Sequence, residues 1–480
     1  MKSDMLGRSV TLAVLGAACL AAASFCWSQA TRATASPRSS KSEIQRFGVD
    51  GANVKAAPLI AELGDGWSGL NGLGWDQIEP RLSRGGAPSY NWQRLDEIAR
   101  AFQPTGRRVQ VNLRVFHETA LEYNQTTRRK HAGTGKRVGA IVRIKPDYLD
   151  AWRALVGAVA ERYDADGNAD FPGLKYPIVT HLQIESEPEN AWADAKGYVQ
   201  ALCAASDAAK KANPEAKILA AGFNVGDFFA LSPEERKRMA GTGSEKLRRK
   251  EAFIDEFFAT ASGCFDILTM HLSGGVEGIQ GTVDWFEKKM EAHNYRKPIW
   301  SDDTMSGPNL SSAVTSQDER SKLKQLERGD RSAVKWFEDE QAGLLVRKSV
   351  VAFAAGVEKV FVSSDVDWPT YHMPIWRHMG LLDASGNRKP AFAAFKTMTA
   401  QLEGFVTAER VDWGAQLHAY QFTKADRRVA VLWLDKEGNV DLSKPLHSEN
   451  VEIVGLDGKR TTAQSGHVML GRNPVFVEVK

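Results

Sequence analysis

Eight short apolar segments, each followed by a helical or long connecting stretch, are the feature that most constrains the fold of this chain. In order they are RFGVDG, GWSGLNG, RRVQVNLRVF, YPIVTHLQI, AKILAAGF, FDILTMHL, KPIWS and EKVFVSS. Apolar residues in the intervening stretches, such as NWQRLDEIARAF and YLDAWRALVGAVAERY, recur near every 3.6 residues, which indicates helices. Continuous apolar strands joined by helical crossovers predict a parallel sheet that is covered on both faces.

Eight such units over about 350 residues favour an α/β fold, a (β/α)8 TIM barrel, which we assign to residues 46–404. A doubly wound open sheet is the alternative. It would need a glycine-rich loop after the first strand, and FGVDGANV has no G-x-G-x-x-G pattern. Residues 405–480 contain only short β-rich segments between turn signals such as KEGN and DGK, which predicts a small C-terminal antiparallel β domain.

The N-terminus has the pattern of an export signal. Lys2 and Arg8 precede the apolar run VTLAVLGAACLAAASFCW, and small residues follow it. We expect a signal peptide over residues 1–35, a linker over 36–45, and a periplasmic or secreted protein. An uncleaved signal segment is the only membrane association that the sequence predicts. Beyond the signal the cysteines are Cys203 and Cys264, which we expect to be free thiols, with a disulfide as the alternative.

Composition and motifs exclude several classes of function. The net charge of +3 on 480 residues argues against a nucleic-acid partner, which would require a strongly basic face. The chain shows no zinc-ligand spacing, no H-E-x-x-H, no calcium loop and no G-x-S-x-G elbow. The sequence therefore predicts no metal site and no cofactor.

Acidic residues follow two strands that face each other across the predicted barrel. Glu187 lies after the fourth strand, and Asp302 and Asp303 end the seventh. Function in this fold is located at the carboxyl ends of the strands. Two opposed carboxyl groups are what cleavage of a glycosidic bond requires, one to protonate the departing oxygen and one to attack or to activate water.

Several motifs resemble clan A glycoside hydrolases of the β-xylosidase-like, family 39-like kind. GWDQIEPRL, SEPENAW, FDILTMH, KPIWSDDT, GLLDASGNRKPAFAAF and NPVFVEV occur in the family's order and spacing. The resemblance covers nearly all of residues 46–400. It implies that Glu187 is the general acid/base, that Asp303 occupies the nucleophile position, and that His271 lines the site.

The catalytic motifs depart from the family pattern in three places. Ser186 stands where an asparagine is usual, Asp303 stands where a glutamate is usual, and the second strand lacks the common arginine. A shorter carboxylate at position 303 leaves two chemistries open, nucleophile in a retaining reaction or base in an inverting one. The changes also leave open an altered or inactive barrel that binds an extracellular glycan. A third alternative is a lyase that uses the same carboxylates.

The remaining candidates are residues that would contact a carbohydrate substrate. They are His271, Ser186, Asp302, Trp368, Arg114 and Trp75. We expect Asp302 to point away from Asp303, although a slip of one residue would exchange their roles. The basic segment TTRRKHAGTGKRVG, residues 126–139, is a solvated loop or, alternatively, a lip for an anionic polysaccharide.

Overall fold

A computed structural model describes residues 45–64, 66–82, 87–130, 137–225, 244–308, 317–371 and 374–479. The expected signal peptide and all but the last residue of the expected linker lie outside these ranges. Among the residues that are described, no helix combines the length and the apolar character needed to cross a membrane.

Eight parallel strands close into a barrel, which confirms the predicted fold class. Going round the barrel, the strands are β1 (Phe47–Asp50), β2 (Trp67–Gly74), β3 (Arg108–Arg114), β6 (His181–Ile184), β7 (Lys217–Phe223), β8 (Ile267–Leu272), β9 (Ile299–Met305) and β10 (Lys359–Ser363). Nearly every residue of these strands is buried, as expected for a parallel sheet between helices and a filled interior.

Helices cover the barrel and connect its strands. Those in the described ranges are α1 (Ala57–Ala61), α2 (Trp75–Ile78), α3 (Gln93–Phe102), α4 (Leu149–Arg162), α5 (Pro188–Ala191), α6 (Ala195–Ala212), α7 (Ser244–Thr260), α8 (Ile279–Glu291), α9 (Gln317–Glu327), α10 (Arg331–Ala354) and α11 (Pro390–Leu402). Asp194 and Asp330 cap α6 and α10 by accepting hydrogen bonds from backbone N–H groups of the first turn.

Large side chains fill the interior of the barrel at the level of its lower strand residues. Trp67, Trp300 and Phe361 are almost completely buried there, and the ring of His181 stacks on Trp300. The barrel is therefore packed below its carboxyl ends, as is usual for this fold.

A two-stranded antiparallel hairpin follows β3, where the sequence suggested only a long connection. It consists of β4 (Leu121–Lys130) and β5 (Arg137–Ile144). Its base contacts the segment that follows Glu187, because the N–H of Ala193 donates to the carbonyl of Ile141 at 2.7 Å. The expected basic lip falls on this hairpin, and its tip, residues 131–136, lies outside the described residues.

The C-terminal residues form the predicted antiparallel β domain. Its six-stranded sheet contains β11 (Thr407–Arg410), β12 (Leu417–Thr423), β13 (Arg428–Leu434), β15 (Asn450–Val454), β16 (Arg460–Gln464) and β18 (Val475–Val479). A smaller pair consists of β14 (Gly438–Val440) and β17 (Val468–Leu470), and α12 (Ser443–Leu446) is a single turn. Rings of Phe353, Phe405 and Phe422 contact one another where the sheet meets α10.

Cys203 and Cys264 form a disulfide, so the expectation of free thiols was wrong. Their Cα atoms lie 4.6 Å apart, within the range that the bond requires. The bond connects α6 to the segment between α7 and β8 and closes a loop with a sequence separation of 61 residues. Sequence alone did not give this distance, because the two residues meet only through the packing of neighbouring helices.

Candidate active site

The carboxyl ends of three barrel strands bring acidic side chains to one imidazole ring on a fourth strand. Asp50 ends β1, Glu187 follows β6, and Asp302 and Asp303 lie in β9, while His271 lies in β8. The family resemblance implied the meeting of Glu187, His271 and Asp303, and the structure does place the three side chains together.

His271 lies between the carboxylates. Its Nδ1 is 3.1 Å from Oε1 of Glu187 and 3.9 Å from Oδ2 of Asp303. Those two oxygens can therefore be no further apart than the sum of these distances, about 7 Å. The Nε2 atom lies 3.5 Å from Oδ2 of Asp302 and 3.5 Å from the hydroxyl of Ser186.

A bulge in β9 turns Asp302 inward, contrary to the expectation that it points away. Met270 pairs with Ser301 but His271 pairs with Asp303, so β9 contains one more residue than β8 at this point. A bulge breaks the strict alternation of side chains along a strand. As a result Asp302 accepts a hydrogen bond from Gln183 Nε2 at 2.7 Å and also faces His271.

Glu187 is held by amide groups on its exposed side. Asn224 Nδ2 donates to Oε1 at 2.8 Å, and Asn190 Nδ2 donates to Oε2 at 3.1 Å. The amide of Asn224 is oriented by Ser273, whose hydroxyl donates to Oδ1 at 2.7 Å. The carboxylate side chain remains 33% exposed, so it is fixed in direction yet accessible from outside the barrel.

The backbone around Glu187 is left-handed. Glu185 has φ 67° and Glu187 has φ 52°, values that side chains other than glycine seldom adopt. With this backbone conformation, the carboxylates of Glu185 and Glu187 contact different groups. Glu185 accepts from the N–H of Val115 at the end of β3, whereas Glu187 faces His271.

The charges of the cluster shift its proton affinities in opposite directions. Burial lowers the pKa of His271, but Asp302, Glu187 and Asp303 outweigh it, and the pKa lies well above the usual range. Burial raises the pKa of Glu187, but the hydrogen bonds and charge of His271 and the two amides bring it down to about 2. The charges of the cluster thus favour the protonated form of His271 and the ionised form of Glu187.

Asp303 differs from Glu187. Burial raises its pKa, and His271 and a hydrogen bond from the hydroxyl of Ser363 only partly oppose this. The pKa of Asp50 is also well above the usual range, because of burial and the charges of Asp303 and Asp302. Within the cluster the proton affinities of Asp50 and Asp303 are therefore raised, whereas that of Glu187 is lowered.

Gly222 at the end of β7 makes this close packing possible. A Cβ atom at this position would lie 2.7 Å from His271 Nε2 and 2.9 Å from both Asp302 Oδ2 and Gln183 Nε2. Its φ of +55° also favours glycine. A side chain here would displace the imidazole from the carboxylates.

The other candidates for substrate contact fall at different distances from the cluster. Ser186 is buried against His271, and Arg114 lies at the end of β3, 3.5 Å from Asn71 Oδ1. Trp368 is 62% exposed, and its ring stacks on Tyr371 with centroids 5.6 Å apart. Burial raises the pKa of Tyr371, and the charges of Asp303 and Glu187 raise it further, because the residue lies near the cluster.

Trp75 does not belong to the site. Its indole is completely buried, packs on Trp152 and His117, and donates to Glu79 Oε2 at 2.9 Å. The residue begins α2 directly after β2, so its place near a strand end was read correctly. Its side chain turns into the layer between barrel and helices and is not exposed at the surface.

Asp50, Asn190 and Asn224 contact or influence the cluster but were not among the predicted residues. The signal for Asp50 and Asn224 was available, because each is the polar residue at the end of an apolar strand, in FGVD and in KILAAGFN. Asn190 gave no such signal, because it lies in the short helix α5 and only its spacing of three residues from Glu187 brings it back to that carboxylate.

Comparison with known proteins gives structural matches only. No family model and no curated protein sequence matches the chain. A family 39 glycoside hydrolase from Bacteroides cellulosilyticus WH2 is 15% identical, with a TM-score of 0.59 over 91% of this chain and 82% of that one. A glucosidase from Croceicoccus marinus is 11% identical, with a TM-score of 0.54 over 90% and 95%.

A monomeric β-xylosidase from Caulobacter crescentus CB15 is 14% identical, with a TM-score of 0.51 over 91% of this chain and 96% of that one. These likenesses extend over the barrel and the β domain together. The chain therefore shares the fold of these three proteins, a (β/α)8 barrel followed by a small β domain.

Proposed function

We propose that this protein is a glycoside hydrolase that cleaves O-glycosidic bonds of an oligo- or polysaccharide. The observation that carries the proposal is the pair of carboxylates, Glu187 and Asp303, beside the same ring nitrogen, Nδ1 of His271, at the carboxyl ends of the barrel. Two carboxyl groups at this separation are sufficient for acid-assisted cleavage of an acetal. The fold, shared with glycosidases, agrees with this chemistry.

In this proposal Glu187 is the general acid/base and Asp303 is the nucleophile. The limit of about 7 Å between their nearest measured oxygens favours the short spacing of retaining enzymes, about 5–5.5 Å, over most of the inverting range, about 6.5–9.5 Å. Retention of the anomeric configuration in the first-formed product, followed by proton NMR, is the expected outcome. The inverted anomer would instead make Asp303 a general base.

The proton for the departing oxygen is held by the pair of His271 and Glu187. In the resting protein it lies on Nδ1 of His271, which donates to Oε1 of Glu187 at 3.1 Å. As the glycosidic oxygen approaches, the proton passes to Oε1 and then to the sugar's departing oxygen. The hydroxyl of Ser363 donates to Oδ1 of Asp303 and orients the attacking carboxylate.

The test compares Glu187→Gln, Asp303→Asn and the matched control Glu291→Gln, whose side chain is exposed on the far end of α8. Turnover is measured on aryl β-xylosides, aryl β-glucosides and a panel of neutral and uronic-acid polysaccharides. We expect each site variant to lose at least about 10²-fold in kcat with KM little changed, and the control to keep full activity.

Alanine variants distinguish the two roles. Azide should restore turnover of both Asp303→Ala and Glu187→Ala, but the two glycosyl azides should have opposite anomeric configurations. In Asp303→Ala azide replaces the nucleophile, whereas in Glu187→Ala it attacks the covalent intermediate. A wild-type protein that binds glycans but cleaves none would favour the glycan-binding barrel. An unsaturated product that absorbs in the ultraviolet would establish a lyase.

Export is part of the same proposal. The N-terminal pattern of Lys2, Arg8 and an apolar run supports it, and so does the Cys203–Cys264 disulfide, because such bonds persist in oxidising compartments. The expected outcome is a chain that lacks residues 1–35 in the periplasmic or extracellular fraction, identified by N-terminal sequencing.

A further inference from the structure

A buried lysine lies at the carboxyl ends of β8 and β9 and has no part in the proposed reaction steps. Lys348 belongs to α10, the helix that connects β9 to β10, and the residue is 0% exposed. An ammonium group in such a place is unfavourable unless acceptors match its three N–H donors. The groups that accept these hydrogen bonds therefore indicate what the residue does.

The ammonium group of Lys348 donates to three backbone carbonyls at the ends of two barrel strands. Its Nζ donates to the carbonyl of Leu272, the last residue of β8, and to that of Gly274 at 2.7 Å. It also donates to the carbonyl of Met305, the last residue of β9, at 2.6 Å. One charged group thus joins the end of β8, the segment after it and the end of β9.

Two of these carbonyls lie close in sequence to residues of the catalytic cluster. Leu272 directly follows His271, and Met305 is two residues beyond Asp303. Because a strand rises about 3.3 Å per residue, both carbonyls are within about 7 Å of a cluster residue along the backbone. Their attachment to one nitrogen limits how far β8 and β9 can move apart where His271 faces Asp303.

The third carbonyl connects Lys348 to the other carboxylate. Gly274 is adjacent to Ser273, whose hydroxyl donates to Oδ1 of Asn224 at 2.7 Å. The amide of Asn224 donates in turn to Oε1 of Glu187 at 2.8 Å. The position of this segment is therefore transmitted to Glu187 through two hydrogen bonds.

The barrel sheet is weakest at the place where the lysine acts. The bulge in β9 interrupts the regular hydrogen-bond ladder between β8 and β9 just before their ends. Strand β8 then ends at Leu272, so Gly274 lies beyond the ladder. Carbonyls without a ladder partner need another donor, and Lys348 supplies it from the covering helix.

We propose that Lys348 is a positioning residue, whose ammonium group holds His271 and Asp303 at the separation that the reaction requires. The inference rests on the proposed glycosidase function. A displacement of about 1 Å at reacting groups can slow a reaction by about 10²-fold. Since the lysine acts through backbone carbonyls, its loss should lower kcat and leave KM little changed.

The test compares Lys348→Met, Lys348→Gln and the matched control Ser349→Ala. Methionine is of similar length but has no N–H donor, whereas glutamine keeps an amide that can still donate. Ser349 is the next residue and is equally buried, and its hydroxyl donates to the carbonyl of Leu345 within α10 at 2.9 Å. Loss of that hydroxyl alters the same helix but leaves the ammonium of Lys348 in place.

Turnover is measured at a temperature where calorimetry and circular dichroism show that each variant is folded. We expect Lys348→Met to lose at least about tenfold in kcat with KM changed by less than about twofold. Lys348→Gln should lose less, and Ser349→Ala should keep the wild-type kcat. A lower Tm with unchanged kcat would show that Lys348 only stabilises the fold, and failure of both lysine variants to fold would lead to the same conclusion. Either result would overturn the proposal.

Crystal structures of the variants separate this inference from the proposed function. The distance from Nδ1 of His271 to Oδ2 of Asp303, 3.9 Å in the wild type, should change by about 0.5 Å or more in Lys348→Met and stay the same in Ser349→Ala. An unchanged distance in Lys348→Met would overturn the inference even in an active enzyme. The expected displacement in a protein that cleaves no glycan would instead support the link from Lys348 to the cluster and refute the proposed function.

Discussion

Glu189 lies two residues beyond Glu187, and its side chain is completely buried. Three donors reach its Oε1 oxygen, from Asn190, the N–H of Asn224 and Lys250, while Oε2 has no hydrogen-bond partner among the residues that the structure describes. Burial is the main cause that raises its pKa to about 7. The charge of Lys250 opposes this effect, and the charge of Glu187 adds to it. This residue therefore couples the stability of the site to pH.

The sign of that coupling gives a prediction. The folded protein keeps the proton of Glu189 up to about pH 7, whereas the unfolded chain releases it near pH 4.5. The stabilisation is complete below pH 4.5 and is lost as pH rises through 7. We expect Glu189→Gln to gain about 3 kcal/mol in unfolding free energy relative to the wild type between pH 4.5 and 8.

Urea unfolding at a series of pH values measures this gain. Glu291→Gln, which changes an exposed carboxylate, should show no pH-dependent difference from the wild type. A difference between Glu189→Gln and the wild type that stays constant across this range would show that Glu189 is ionised throughout.

For individual residues, the sequence predicted which side chains lie at strand ends but not the direction in which each side chain points. The positions of Glu187, His271 and Asp303 follow from where apolar strands stop. Trp75 also follows a strand, yet its indole points inward, donates a hydrogen bond to Glu79 and packs on Trp152. Such choices depend on neighbours distant in sequence, which a local pattern does not contain.

The elements of the barrel were predictable for a different reason. The strands lie in short segments rich in apolar residues, because parallel strands are buried on both faces. The hairpin of β4 and β5 escaped prediction since its basic and glycine-containing sequence resembles a solvated loop. The bulge in β9 was not predicted either. It arises from the pairing of β9 with β8 and β10, each of which has one residue fewer than β9 at this point.

The disulfide between α6 and the segment before β8 gives a prediction at the level of elements. With a sequence separation of 61 residues, loss of the bond is expected to cost about 4 kcal/mol of unfolding free energy, from the added freedom of the unfolded chain. The double variant Cys203→Ser, Cys264→Ser should therefore unfold at lower denaturant than the oxidised wild type.

Reduction of the wild type supplies the control, because it should give the stability of the double variant. A thiol titration of the unreduced, denatured mature chain should count no free thiol. Two free thiols per chain would show that Cys203 and Cys264 are not paired in the protein.

Across the whole molecule, barrel and β domain share one aromatic contact surface. Phe405 is 5% exposed and packs edge-on against Phe353 of α10 and Phe422 of β12, with centroids 5.0 Å away in each case. The guanidinium of Arg46, just before β1, lies 4.5 Å over the ring of Phe405. The segment before β1, helix α10 and strand β12 of the sheet thus all contact the side chain of Phe405.

We expect Phe405→Ala to lower the unfolding free energy by about 3–5 kcal/mol, the usual effect of emptying a buried aromatic site. Val406→Ala, at the next residue, should change it by less than about 0.5 kcal/mol, because Val406 is 66% exposed. Calorimetry of both variants measures the change. An unaltered Tm for Phe405→Ala would mean that the sheet does not support the barrel.

The left-handed backbone at Glu185 and Glu187 has an evolutionary consequence. Each of these residues holds a conformation that costs about 1 kcal/mol or more, which a glycine would avoid. Under relaxed selection, drift would replace them, since most changes that relieve strain are neutral or beneficial to folding. A lineage that had abandoned chemistry at this end of the barrel would be expected to lose this geometry early, whereas this chain still has glutamate at both positions.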